Sequence, residues 1–307
     1  MPTVTITGGT GLIGHALGQT LLEKGYKVII LSREDRHQGS DTGLSYAKWD
    51  IDQQFIDETA IRDADHIIHL AGAGIADKRW TKKRKKEIVE SRVKSSELLV
   101  HALQTIPNKI QTVVSSSAIG WYGPDPVVPN PKPFVETDPS DNSFLGNTCK
   151  AWEQSIEPVT QLEKRLVKIR TGIVLAGNGG ALKEFIRPMK FGIAAILGKG
   201  KQVISWIHID DLVKIYIAAI ENKQLNGSYN AVAPNPVSSK ELTWKLAKAR
   251  KNFFILFPVP AFILKIVVGE LSIEVLKSAT ISSKKIQEQG FDFTYPSIDS
   301  ALHQLIS

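Results

Sequence analysis

The glycine-spaced turn Thr7-Gly8-Gly9-Thr10-Gly11-Leu12-Ile13-Gly14 constrains this chain more than any other feature. Before it stands the β-branched run Thr3-Val4-Thr5-Ile6-Thr7. After it Leu12, Ile13, Ala16, Leu17 and Leu21 recur at helical spacing until Gly25, so the pattern predicts strand, tight turn, helix. In that setting Gly8 permits the sharp turn, Gly11 lets backbone approach a pyrophosphate, and Gly14 lets helix and strand pack closely. Thr10, Leu12 and Ile13 complete the loop. The helix start turns free N–H groups and the positive end of its dipole toward phosphates. A glycine pattern alone also fits a purely structural turn. The strand before it, the helix after it and the second strand Lys27-Val28-Ile29-Ile30-Leu31 select dinucleotide binding.

The end of that second strand chooses the dinucleotide. An acidic residue there would hold a ribose 2′-hydroxyl and repel a 2′-phosphate. The chain has Ser32-Arg33 instead, a hydroxyl and a guanidinium suited to a 2′-phosphate. The expectation is NADP(H), with NAD(H) as the alternative because Glu34 and Asp35 follow at once.

Further along, His66-Ile67-Ile68-His69-Leu70, Gln111-Thr112-Val113-Val114-Ser115 and Leu166-Val167-Lys168-Ile169-Arg170 read as strands. A long helix over 82–104 and another over 149–161 separate them. Strands alternating with helices predict an α/β fold, a Rossmann-type doubly wound parallel sheet. Beyond about residue 175 the alternation loosens, which suggests a smaller C-terminal substrate lobe. The boundaries expected are 1–175 for the nucleotide-binding core, with later core segments around 203–232, and 176–307 mainly for the lobe. Phe253 to Val268 is the most apolar later segment. Pro258, Pro260 and Lys265 interrupt it, and a membrane span needs about 20 mainly apolar residues, so it reads as buried strand and helix.

Cys149 is the single cysteine among 307 residues, which excludes an internal disulfide and suits a reducing compartment. Met1-Pro2-Thr3 runs directly into a strand without the pattern of a signal peptide, and the expected location is cytoplasmic. The net charge of +7 owes much to Lys82-Lys83-Arg84-Lys85-Lys86. Such a run attracts nucleic acid or an anionic ligand. With no interleaved aromatic residues it reads better as a solvated helix face. No metal site is expected, because Asp210 or Asp211, beside His208, reads as the cap of a helix through Ile220.

Several segments together resemble one family. They are the glycine turn, Leu70-Ala71-Gly72-Ala73-Gly74, Asp77-Lys78-Arg79-Trp80-Thr81, Ser91-Arg92, residues 115–123, Arg170-Thr171-Gly172-Ile173-Val174-Leu175, Trp206-Ile207-His208-Ile209-Asp210-Asp211 and Val259-Pro260-Ala261-Phe262. The family is the atypical, epimerase-like branch of the short-chain dehydrogenase/reductase superfamily, the NAD-dependent epimerase/dehydratase-like "epimerase family", including its C-terminal extension. The resemblance implies that Leu70, Ala71 and Gly72 lie beside the adenosine and pyrophosphate. It implies that Glu87 and Arg92 reach the cofactor and that Val174 borders the nicotinamide.

The resemblance also implies a catalytic Ser or Thr with a Tyr-x-x-x-Lys pair. A lysine and the cofactor's charge lower the tyrosine pKa, so that phenolate can exchange a proton. Ser117 falls at the serine place. The pair is incomplete here. Anchoring on Glu153 puts Leu145 and Cys149 at the tyrosine and lysine places, whereas shifting by one gives Lys150 but leaves Gly146 for the tyrosine. Tyr122 is a candidate replacement acid or a packing residue, and Lys150 a candidate cation or a solvated lysine. Arg79 and Trp80 either clamp a polar substrate or shape a loop. Two functions follow: an NADP(H)-dependent oxidoreductase or epimerase acting on a small polar substrate, or a non-catalytic NADP(H)-binding structural or sensory protein. No membrane partner is expected, and the oligomeric state is open.

Overall fold

The computed structural model describes residues 1–34, 43–250 and 254–306. The glycine turn folds as its pattern predicts, with β1 (Thr3–Thr7) leading into α1 (Leu12–Glu23) and then β2 (Lys27–Ser32). β3 (Leu44–Asp50), β4 (Phe55–Ile56), α2 (Thr59–Arg62), β5 (His66–His69), α3 (Lys82–Thr105) and β6 (Thr112–Ala118) follow. A proline-bearing loop then precedes α4 (Phe144–Ile156) and β7 (Arg165–Thr171). α4 starts five residues before the helix expected at Cys149, because the Ser143 hydroxyl caps it by accepting from Gly146 N–H at 3.2 Å. It gives way after Ile156 to a 3-10 segment containing Pro158, where the missing N–H breaks the α-helical pattern.

The second half contains β8 (Ile173–Ala176), α5 (Gly180–Met189), β9 (Ile193–Leu197), β10 (Val203–Ile204), β11 (Trp206–His208), α6 (Ile209–Glu221) and β12 (Gly227–Ala231). β13 (Val237–Ser238), α7 (Ser239–Ala249), β14 (Ile255–Val259), α8 (Ala261–Val268), α9 (Ser272–Leu276), α10 (Lys284–Glu288) and α11 (Ile298–Ile306) complete the chain.

The main sheet has the order β12-β7-β6-β5-β1-β2-β3-β4, parallel throughout except for the terminal β3–β4 pair. Order reverses at β1, which pairs with β2 on one side and β5 on the other. Such a switch point opens a crevice at the carboxyl ends of the strands. Apolar residues cover both faces. Val4, Ile6, Leu17, Leu21, Leu212 and Tyr216 pack on one, and Ile67, Leu98, Leu99, Val113 and Ile156 on the other. Burial on both faces explains the near-continuous apolar strands.

Of the later core segments expected around 203–232, α6 packs on the sheet and β12 joins it. β10 and β11 instead pair with β13 and β8 outside it. A separate apolar cluster of Leu175, Leu182, Trp206, Leu242, Leu246 and Leu302 builds the lobe. The C-terminal tail is tied back by buried carboxylates. Asp125 accepts from Thr280 N and from the Ser278 and Thr280 hydroxyls at 2.8–2.9 Å, and Asp211 accepts from Thr294 N and Tyr295 N, each at 2.9 Å.

Two expectations are corrected here. The cap of α6 is His208, whose Nδ1 accepts from Asp210 N–H at 3.1 Å, while Asp211 is committed to the tail. The segment expected to be buried strand and helix over 253–268 is instead largely exposed in β14 and α8. Its first residue, Phe253, lies outside the described residues. Apolar character promotes burial only where something packs against it, and here only Leu264 of α8 finds a neighbouring surface. Among the described residues no helix is long and apolar enough to cross a membrane.

Candidate cofactor and active site

At the sheet's switch point the glycine loop is held by a buried polar relay. The Thr7 hydroxyl accepts from Leu70 N–H and Ala71 N–H, both at 3.1 Å, and lies 2.7 Å from His69 Nδ1. The other ring nitrogen, Nε2, lies 3.1 Å from Ser96 Oγ and 3.3 Å from Ser95 Oγ. Both serine hydroxyls donate to the Arg92 carbonyl. The ring therefore donates from Nε2 and accepts at Nδ1 from Thr7, and it stays neutral because burial lowers its pKa to about 4. This relay locks the ends of β1 and β5 to α3.

The cradle itself is backbone. Gly8 has φ +68°, and a Cβ there would stand 2.9 Å from the Leu70 carbonyl carbon. At Gly14 a Cβ would lie 2.5 Å from both Gly8 O and Gly9 Cα, so this glycine admits the loop backbone rather than a strand. Gly11 caps α1 without a side-chain hydrogen bond, leaving the first-turn amides of Leu12 and Ile13 for an outside acceptor. Thr10 and Gly11 are exposed on the lip. Leu12 reaches the Gly179–Gly180 turn, and a Cβ on Gly180 would also meet Val174 O at 3.1 Å. Leu12 and Val174 thus converge on one wall. These features fit a diphosphate seated against the helix start.

At the end of β2 the Ser32 hydroxyl accepts from Glu34 N–H at 3.2 Å, and Arg33 is exposed. β2 pairs Leu31 with Thr7, so both residues stand beside the glycine loop. Asp35, the second acidic residue there, lies outside the described residues. Gly72 is exposed beside Arg92, whose guanidinium carbon would stand 3.2 Å from a Cβ on it. Arg92 Nη1 donates to Ala73 O at 3.0 Å and to Ile88 O at 2.9 Å, while the guanidinium covers the Trp152 ring. Glu87 does not join this group. Its carboxylate is exposed and held by Arg84 at 2.8 Å, and that bond keeps it below the usual carboxylate range.

Of the three candidate catalytic residues, Ser117 and Tyr122 are linked through Glu153 and Arg170, and Lys150 stands apart. Ser117 Oγ is buried and donates to Glu153 Oε1 at 2.7 Å. Glu153 also receives Arg170 Nε at 2.8 Å and Nη2 at 3.0 Å in a bidentate pair. Tyr122 is completely buried, donates to Asn230 Oδ1 at 2.7 Å and accepts from Arg170 Nη1 at 3.0 Å. Burial pushes its hydroxyl up to about 12. With no exposure and both hydrogen-bonding roles filled, Tyr122 packs the loop in this structure.

Lys150 is exposed on α4, while Leu145 and Cys149 on the buried face pack against Gly120 at the end of β6. Anchoring on Glu153 therefore puts its two residues on the buried face of α4, whereas Lys150 turns to the surface. Cys149 cannot replace the lysine charge, since burial and the neighbouring Glu153 carboxylate push its thiol up to about 12. Arg79 and Trp80 shape their loop. Arg79 donates to Ile266 O, and Trp80 Nε1 donates to Ile75 O at 2.7 Å as its ring meets Phe144 edge-on.

The Glu153–Arg170 pair escaped sequence reasoning because its members lie on different elements; the anchoring glutamate was its one visible trace. The Thr7–His69–Ser96 relay left none, since neither a strand-end histidine nor a helix serine is distinctive.

Sequence comparison agrees with this architecture. Residues 4–232 match the NAD dependent epimerase/dehydratase family, and residues 259–305 match a domain of unknown function, DUF1731. The chain belongs to the NAD-dependent epimerase/dehydratase family. It is 34% identical over 305 residues to epimerase family protein YfhF of Bacillus subtilis (strain 168), covering 99% of this chain and 98% of that one. It is 33% identical over 301 residues to epimerase family protein SSP1921 of Staphylococcus saprophyticus, covering 98% of each. Among solved structures, human epimerase family protein SDR39U1 with NADPH superposes with a TM-score of 0.87 at 27% identity, covering 99% of both chains. Membership accounts for the cradle and the Rossmann-type sheet. The replaced Tyr-x-x-x-Lys pair is where this epimerase-family chain departs from the superfamily's pattern.

Proposed function

We propose that this protein binds NADP(H) in the crevice above β1 and acts as an oxidoreductase or epimerase on a small polar substrate. The observation that carries the reading is the glycine cradle with Arg33 at the neighbouring strand end. The NADPH in the human relative supports the same choice of dinucleotide. The first-turn amides of α1 hold the diphosphate, Ser32 and Arg33 face the 2′-phosphate, and Leu12 and Val174 wall the nicotinamide end. When bound, the cofactor supplies reversible hydride transfer. The chain supplies position and a half-buried cation, Arg92. It supplies no phenol–lysine pair on α4, so proton transfer falls to water or to the substrate's own groups.

Leu145 and Cys149 favour a second reading, a protein that binds NADP(H) as a structural or sensory ligand without turnover. Thermal denaturation with each nucleotide tests the cofactor claim, because a ligand stabilises in proportion to its affinity for the native state. NADPH is expected to raise Tm more than NADH, and Arg33→Glu to reverse that order. Equal shifts would remove the 2′-phosphate argument. Transfer of deuterium from 4-deuterated NADPH into a metabolite mixture separates the oxidoreductase from the sensor.

A further inference from the structure

Three observations converge on one rim of the molecule. Phe262, Ile266 and Val267 of α8 are 65%, 67% and 67% exposed, and Leu264 is the buried residue that seats this helix. Phe257 at 52% and Ile273 at 66% extend the bare surface onto β14 and α9. Scattered apolar residues are ordinary on a protein surface, but a contiguous cluster of this kind marks an interaction site. The second observation is that the lysine run begins next door. Arg79 donates to Ile266 O, and Lys85 forms an ion pair with Glu270 just beyond α8. Lys78, Arg79, Lys82, Lys83, Lys86 and Lys265 are exposed on these adjoining segments and outnumber the exposed Asp77, Glu87 and Glu270 there. Third, Phe262, Ile263, Ile266 and Val267 share one face of α8, opposite the buried Leu264.

We propose that α8 and the basic turn beside it dock this protein on an anionic lipid bilayer, α8 lying in the headgroup boundary. Eight residues of helix extend about 12 Å, too short to span but suited to shallow insertion. A short helix that turns an unbroken apolar face outward lies in the boundary with that face toward the acyl chains. Its anionic headgroups also neutralise the lysine rim. A second copy of the chain seated on the same ridge would bring two basic rims together, so charge complementarity selects the lipid.

The test is co-sedimentation of the full chain with vesicles of phosphatidylcholine alone or mixed with phosphatidylserine. The protein is expected in the pellet with the mixed vesicles, less so as salt rises. Binding should fall about tenfold or more in Phe262→Ser/Ile266→Ser/Val267→Ser, which removes most of the inserting surface. It should also fall in Lys78→Glu/Lys82→Glu/Lys83→Glu, with unchanged Tm as the folding control for both variants. A chain that stays in the supernatant with both lipids overturns the proposal, as does a serine variant that sediments like the parent. Light scattering that shows a dimer without lipid, converted to monomer by the serine variant, also overturns it, in favour of a second copy.

Discussion

Replacing Glu153 by Gln tests whether Ser117 belongs to a structural network or to a reacting centre. Arg170 and Glu153 meet through two hydrogen bonds of 2.8 and 3.0 Å, with side chains only 4% and 6% exposed. Ser117 adds a third donor to the same carboxylate. Gln keeps the shape but loses the charge and turns an N–H₂ toward the guanidinium. The arginine is then a desolvated cation without a counter-charge, left with one amide oxygen, the Tyr122 hydroxyl, Glu136 O and the Trp121 ring as neutral partners. Breaking one side of a buried pair costs about 3–5 kcal/mol. In a protein of this size that corresponds to a fall in Tm of roughly 5–8 °C. Urea denaturation followed by circular dichroism reads the free energy, and the slope shows whether the transition itself has changed. A loss below about 1 kcal/mol, the range of an exposed pair, would refute the reasoning. The companion Glu153→Leu/Arg170→Met should recover most of the loss, because it removes both buried charges.

Two further outcomes are expected. His69 is buried neutral with its pKa lowered from 6.5 to about 4, so the unfolded chain binds the extra proton between those values. Stability should be unaffected by this group above pH 6.5, fall by about 3 kcal/mol in total as pH drops toward 4, and level off below. Denaturation midpoints against pH, compared with His69→Gln, check this; parallel curves would dismiss it. Cys149 should resist iodoacetamide at pH 8 in the native protein and react fully in urea, because burial holds the thiol protonated up to about 12. Native labelling at the rate of a free thiol would show that α4 does not seat this residue against Gly120.

Much of the glycine turn was legible because its causes are local. Glycines at 8, 11 and 14, a β-branched run before them and helical spacing after them encode a turn by backbone sterics alone, and Arg33 follows from its place after β2. The alternation of strands and helices likewise determined the parallel sheet. Tertiary packing decided what a linear pattern could not. It closed Tyr122 inside a hydrogen-bonded core, turned Lys150 outward and Cys149 inward on the same helix, and joined Ser117, Glu153 and Arg170 from three elements. It also left α8 exposed although its composition promised burial. The physical reason is range: turn sterics and periodicity act between neighbours in the chain, whereas desolvation and charge pairing depend on which distant elements arrive at the same place.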